Sequence, residues 1–250
     1  MKTSPVHVAR SYLAIVVFLL MLLLLVPFAL VMLVFSFGRL SNFIIEKIAP
    51  ILAYTTLWII GIKFHVKQHA DEIPVPAVFI SNHSSTLDLV TILALGLPRV
   101  RFVAKWEFQY NPLFFIMGRL TGQVFIKRQD SEKAVKSLKK AYRRVKKQNL
   151  SIFAAPEGSR KHEGVIGEFK KGAFRTALDL DYPIVPIYFE GNNKLSGDDD
   201  LYARPGECTA HIYPAIDTSD WDLESLPEKI EEVRSMYMDW AGVDEETNWQ

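Results

Sequence analysis

The chain has 250 residues, a formal net charge of +1, six histidines and a single cysteine. That length suits one α/β domain of ordinary size with an appendage. One cysteine excludes an intrachain disulfide and a thiolate metal cluster. The histidines are scattered without an H-x-x-H or H-E-x-x-H pairing, which argues against a zinc enzyme.

The apolar residues crowd the N-terminus. From Ser11 to Gly38 no residue is charged, and Tyr12 to Phe35 is almost wholly Leu, Val, Phe, Met, Ala and Ile. About 20 such residues in a helix cross a hydrocarbon core of roughly 30 Å. A secretory signal would carry an apolar region of about 7–15 residues ending in a small-residue cleavage site. This run is longer and has no A-x-A-like end, so membrane insertion is expected. Pro27 can bend the helix if its freed carbonyl finds a partner. A second apolar stretch, Ile48 to Ile62, carries Pro50 and Trp58. It is short for a span and suits an interfacial or re-entrant segment. Lys2 and Arg10 precede the first run and Arg39 and Lys47 follow it, so the positive-inside rule leaves orientation open. A helical hairpin is the preferred arrangement, which keeps the N-terminus and the following domain on one side. Residues 1–61 are expected to anchor the chain and residues 62–250 to form a single folded domain.

From about residue 62 short β-rich runs alternate with longer helical ones. Ile62 to Val66 alternates with period 2, as a half-buried strand should. Further strands are predicted at 77–81, 100–104, 123–127, 151–155, 184–189 and 208–213. Helices are predicted near 86–95, 112–118, 131–148 and 170–180. Ser225-Leu226-Pro227-Glu228 reads as an N-cap, an early proline and a capping glutamate, opening a helix to about Trp240. The pattern predicts one α/β domain, a mixed sheet flanked by helices. The helix at 131–148 places Ala134, Val135, Leu138, Ala141, Tyr142 and Val145 on one stripe that would pack on the sheet. Its other face carries Lys133, Lys136, Lys139, Lys140, Arg143, Arg144, Lys146 and Lys147. That face is either solvated or meets anionic lipid headgroups or an acidic protein.

The stretch Asn82-His83-Ser84-Ser85-Thr86-Leu87-Asp88 directly follows the predicted strand at 77–81. Ser85-Thr86-Leu87-Asp88 fits a capping box with Asp88 at the third helical position. Residues five apart in a continuous helix point roughly 140° apart. A loop before the cap removes that difficulty and lets His83 fold back onto the Asp88 carboxylate. A carboxylate there would fix the imidazole tautomer and stabilise the imidazolium formed on proton uptake. On spacing alone, a histidine serving a loop hydrogen bond and a cap that merely starts a helix account for the residues equally well.

Three more blocks follow in order. They are Gly122 to Arg128, then Pro156-Glu157-Gly158-Ser159-Arg160 with Phe169 to Phe174 behind it, then Tyr182 to Ile187. With the first block, over roughly residues 60–215, the sequence resembles the glycerolipid acyltransferases typified by 1-acyl-sn-glycerol-3-phosphate acyltransferase. The resemblance implies that His83 deprotonates the acceptor hydroxyl and that Asp88 orients and charges that base. It implies a substrate-phosphate site at Glu157, Gly158, Ser159 and Arg160, with Arg160 as the clamp and Arg128 as a further contact. A guanidinium fork suits phosphate because it binds two oxygens at once. Pro186 would serve structure and the acyl site. The sequence departs from the family where Lys127 replaces the usual acidic residue and where Ala155 replaces the usual aromatic. Lys127 is therefore a possible further acceptor contact, and the acceptor headgroup is the feature most affected.

The family's reaction implies no metal and no bound organic cofactor, because an acyl thioester is already activated. The expected partners are membrane lipids, a lysophospholipid acceptor, and acyl-coenzyme A or acyl-carrier protein as co-substrate, with no nucleic acid. The expected location is a membrane, the inner or cytoplasmic one in a bacterium, with the catalytic domain facing the cytosol. Acylation of Ser81, Ser84 or Ser85 ranks below direct transfer.

Overall fold

The computed structural model of the protein describes residues 4–105, 107, 110, 112–126, 138, 141–159, 164–196 and 202–249. Among the described residues, seven strands form one mixed sheet. They are β1 (Ile62–Gln68), β2 (Val78–Ser81), β3 (Val100–Lys105), β4 (Val124–Ile126), β5 (Ser151–Ala154), β6 (Ile184–Glu190) and β7 (Gly206–Ile212). Their order across the sheet is β1-β7-β6-β2-β5-β3-β4. All neighbouring pairs are parallel except β6 with β7. The predicted strands therefore all exist, and the mixed α/β fold is as expected.

Alternation along the central strands builds a core on each face of the sheet. Val78, Ile80, Ile152 and Ile184 face one side, with Phe174 and Leu180 of the helix Lys171–Leu180 and Ile230, Val233 and Tyr237 of the helix Leu226–Ala241. Phe79, Phe153, Val185, Ile187 and Phe189 face the other side, where Ile45, Ile92 and Leu97 cover them. The stripe on the predicted helix at 131–148 holds where it is described. Residues 141–147 are helical, Val145 is buried, and Leu138, Ala141 and Tyr142 lie against the first core. Arg143, Lys146 and Lys147 are exposed. Arg144 is not simply outward: its guanidinium reaches back to the Gly122 carbonyl oxygen.

A proline inside a central strand removes a ladder donor, and the fold answers it with a tyrosine. Pro186 stands opposite Ile80 in the β2–β6 register. The Tyr237 hydroxyl, fully buried, donates to the Ile80 carbonyl at 3.0 Å and accepts from the Ile187 N–H at 3.1 Å. Burial pushes that phenol well above its ordinary range, so it stays a donor.

The N-terminus forms the expected hairpin. A helix Pro5–Phe35 turns at residues 36–40 and a second helix, Ser41–Ile60, runs back along it. The second helix differs from the short interfacial stretch read from Ile48 onward. It begins at Ser41, contains a π-helical stretch Ile44–Ile48, and takes Glu46 and Lys47 into the helix. The Glu46 carboxylate is used there, accepting the Arg99 N–H at 2.8 Å. This helix lies between the first helix and the domain, with Ala53, Leu57 and Ile60 buried against Leu87, Ala94 and Cys208. Buried Arg101 ties its start down by donating to Ser41 Oγ at 2.9 Å and Asn42 Oδ1 at 2.8 Å. Desolvation, reinforced by nearby Arg144, lowers the Arg101 pKa to about 10, and its surroundings supply acceptors that keep it charged.

The C-terminal helix starts after Ser225 as predicted, but the serine does not cap it. Its hydroxyl turns back to Asp222 Oδ1 at 2.9 Å, because the Asp222 carboxylate already gathers the N–H groups of Glu224 and Ser225. The helix ends at Gly242, left-handed with φ 70°, and the Val243 N–H returns to the Met238 carbonyl.

Candidate active site

β6, β2 and β5 are adjacent and parallel, so the loops that leave their carboxyl ends emerge on one edge. Open α/β sheets place ligands at that edge. β2 leads into Asn82-His83-Ser84-Ser85, β5 into Pro156-Glu157-Gly158-Ser159, and β6 into Gly191-Asn192.

Asn82 sets the geometry of the first loop. Its side-chain amide donates to the Phe189 carbonyl at 3.1 Å and its Oδ1 accepts the Phe189 N–H at 2.8 Å. The side chain thereby extends the β2–β6 ladder past the Ser81–Ile187 pair and fixes the point where the backbone turns away. The next residue, His83, is held twice. Its backbone N–H donates to Glu157 Oε2 at 2.5 Å, and its ring Nδ1 lies 2.9 Å from Asp88 Oδ2. Loop and helix start thus bring together the pair expected from sequence.

Asp88 is 1% exposed and His83 27%. Asp88 Oδ2 also accepts the backbone N–H groups of Ser84 and Ser85, each at 2.9 Å, while Ser85 Oγ accepts the Leu87 N–H at 3.1 Å. This is the reciprocal capping pattern that Ser85-Thr86-Leu87-Asp88 predicts, although regular helix runs only over Asp88–Ala94. Asp88 Oδ1 accepts from Asn192 Nδ2 at 2.7 Å. Every one of these contacts puts a donor against the carboxylate, which is the role of an ionised acid. With Nδ1 committed to Asp88, proton uptake by the imidazole falls to Nε2.

Two further nucleophile candidates near the pair, Ser85 and Cys208, are occupied or unreactive. Ser85 Oγ is buried and donates to the Ser196 carbonyl at 2.7 Å. Ser81 is buried within the end of β2. Burial, and behind it the charge of Asp88, pushes the Cys208 thiol up to about 12, so it does not supply a thiolate.

The third block forms a tight turn. The Gly158 N–H donates to the Ala155 carbonyl at 3.1 Å, and Gly158 has φ +68°, a conformation that glycine adopts without strain. Glu157 is 3% exposed, and beyond its bond to His83 it accepts the Gly167 N–H at 3.1 Å. Its carboxylate therefore braces the histidine loop from β5. Ser159 is exposed at the mouth of this turn. Lys127, Arg128 and Arg160 lie outside the described residues. Sequence reasoning missed Asn82 and Asn192 as site residues. Each asparagine stands just beyond a strand, and that position is the only local signal it offers.

A buried carboxylate thus lies on a half-buried imidazole at the carboxyl ends of an open α/β sheet, an arrangement in which a histidine can accept a proton. A family model described as Acyltransferase matches residues 62–190, and the chain belongs to that acyltransferase family. A 1-acyl-sn-glycerol-3-phosphate acyltransferase of Limnanthes douglasii is 30% identical over 188 residues, 75% of this chain and 66% of the relative. One of Cocos nucifera is 31% identical over 183 residues, 73% of this chain and 59% of the relative. The chain thus spans somewhat less than two thirds of these relatives. The crystal structure of the 1-acyl-sn-glycerophosphate (LPA) acyltransferase PlsC from Thermotoga maritima shares the fold. Its TM-score is 0.72 at 22% identity, covering 95% of this chain and 98% of that one.

Proposed function

We propose that the protein transfers a fatty acyl group from an acyl thioester to the free hydroxyl of lysophosphatidic acid, giving phosphatidic acid. The observation that carries this reading is the 2.9 Å contact between His83 Nδ1 and the buried Asp88 carboxylate. The names of the relatives support the acceptor. In the transfer, His83 Nε2 takes the proton of the acceptor hydroxyl as its oxygen attacks the thioester carbonyl. A C–O bond forms, the C–S bond breaks, and the proton passes from the imidazolium to the departing thiolate. Asp88 balances the imidazolium charge. Glu157 is read here as a residue that positions His83, since a carboxylate committed to backbone N–H groups repels a phosphate. Arg160, the next residue in sequence after Ser159, is assigned the phosphate.

Purified protein should release thiol when given acyl-coenzyme A or acyl-carrier protein together with lysophosphatidic acid. Faster release with a lysophospholipid of another headgroup would move the acceptor assignment, and no release with any acceptor would leave only a lipid-binding protein. Arg160→Ala is expected to raise the KM for lysophosphatidic acid while leaving the donor KM in place. A bond to a charged group contributes about 1.5–3 kcal/mol, or about 10- to 150-fold in KM. Arg160→Lys should recover only part of it, because an ammonium lacks the fork. An unchanged acceptor KM would take the phosphate away from Arg160.

The hairpin is assigned to the membrane. The first helix has 31 residues, about 46 Å at about 1.5 Å per residue. It touches the rest of the protein near both ends. Ser11 Oγ donates to the Ala203 carbonyl at 2.9 Å, and toward the other end buried Ala29 and Leu33 pack with Leu120. Leu13, Leu20, Leu24, Phe28, Val31 and Phe35 face outward along its length. A helix crossing a bilayer upright would draw one of those domain contacts through the hydrocarbon. The contacts favour a helix lying along the membrane face of the domain. Val6→Cys and Phe37→Cys, both exposed positions, should then react with a membrane-impermeant maleimide from the same side of sealed vesicles. Reaction of the two from opposite sides would mean a span.

A further inference from the structure

Asn192 is the residue around Asp88 whose side chain comes from farthest away in sequence, and none of the four blocks includes it. It opens the short helix Asn192–Leu195 just beyond β6, after Gly191 at φ +90°, and is 1% exposed. Its Nδ2 donates to Asp88 Oδ1 at 2.7 Å and to Thr91 Oγ1 at 2.9 Å. Thr91 Oγ1 in turn donates within the same helix, to the Asp88 carbonyl at 3.2 Å. One amide group therefore grips both the catalytic carboxylate and the helix turn that carries it. The adjoining Ser196 holds the preceding loop, through its carbonyl to Ser85 Oγ and its hydroxyl to Thr86 Oγ1.

The other half of the amide shows why an asparagine stands here. Asn192 Oδ1 is buried and has no hydrogen-bond partner among the described residues. Burying an unmet acceptor is unfavourable, and turning the amide over would set that oxygen against the Asp88 carboxylate. The side chain is thus kept in an orientation that is poor for its own carbonyl and good for Asp88. Local rules broken in this way are expected at functional sites.

We infer that Asn192 is a positioning residue for acyl transfer, acting through Asp88 to hold the His83 imidazole in its proton-accepting tautomer. The inference rests on the proposed transferase reading for its kinetic part only. Asn192 reaches neither His83 nor the reacting atoms in this scheme, so its effect belongs in kcat and not in substrate affinity.

The test uses the full chain in detergent micelles, labelled with ¹⁵N-histidine, and follows the Nδ1–H proton of His83, assigned by its loss in His83→Gln. Asn192→Leu, similar in size but without the donor, should lower kcat on the order of 10- to 100-fold. Both KM values should hold, and the Nδ1–H resonance should move or broaden. Asn192→Asp, with the same shape and a charge repelling Asp88, should do at least as much and carries the test if the leucine variant misfolds. Asn193→Leu, at the exposed neighbouring position, should change neither readout. A folded Asn192 variant with wild-type kcat and an unmoved resonance would overturn the inference while leaving the transferase reading in place. A wild-type protein without transferase activity would remove that reading, and the resonance would still decide whether Asn192 holds the pair.

Discussion

Replacing His83 with alanine is expected to lower acyl transfer by about 10²–10⁴-fold, the usual contribution of a positioned general base. The loss should appear in kcat with every acceptor and donor tried, because the base acts on the reacting hydroxyl in each case. The protein should stay folded. His83 is part-exposed, so its ring leaves no closed cavity behind. Its contact with Glu157 runs through the backbone N–H, which alanine keeps. Thermal unfolding in detergent checks the fold, and thiol release checks the rate. Near-normal turnover in a folded variant would remove His83 from the mechanism.

Asp88→Asn should also be severe, for a reason the structure makes specific. The carboxylate receives N–H donors on both oxygens, from His83, Ser84 and Ser85 on Oδ2 and from Asn192 on Oδ1. An asparagine must point its own NH₂ at one of these two groups. Facing Oδ2's partners, it meets two backbone N–H groups and the imidazole. Facing Asn192, it meets another NH₂. The first orientation sets donor against donor, the second forces the Asn192 amide to turn over and withdraw its donor from Thr91 Oγ1, and in both the charge that supports the imidazolium is gone. A loss of about 10³–10⁴-fold in kcat is expected, comparable to removing the orienting carboxylate of a serine-protease triad. Stability should fall too, because a buried hydrogen-bonded charge has been removed from the start of a helix. A kcat within a few-fold of wild type would mean that Asp88 serves only as a cap.

The strands were legible because each is a short run rich in β-branched or aromatic residues and bounded by a turn, and because β2, β5 and β6 are largely buried and apolar over most of their length. The His83–Asp88 contact was legible because a capping box is a local code: loop and first turn lie within seven residues of sequence. Three features lay beyond such codes. The second hairpin helix starts earlier than its apolar run, since Glu46 is served by a backbone N–H that only the folded sheet supplies. Ser225 fails to cap because Asp222, three residues away, competes for its hydroxyl. Asn192 meets Asp88 across 104 positions, and no local spacing encodes that meeting. Glu157 is an intermediate case. Its membership of the site was legible from the third block, but its work on the His83 backbone was not, because a carboxylate beside an arginine reads first as a ligand for substrate.

The measurement closest to the central claim is identification of the product, by mass spectrometry, when purified full-length protein is incubated with an acyl thioester and lysophosphatidic acid. Wild-type protein should yield phosphatidic acid and free thiol in equal amounts, and His83→Ala protein almost none of either. No phosphatidic acid from the wild type with either thioester carrier, or equal amounts from both proteins, would contradict the account.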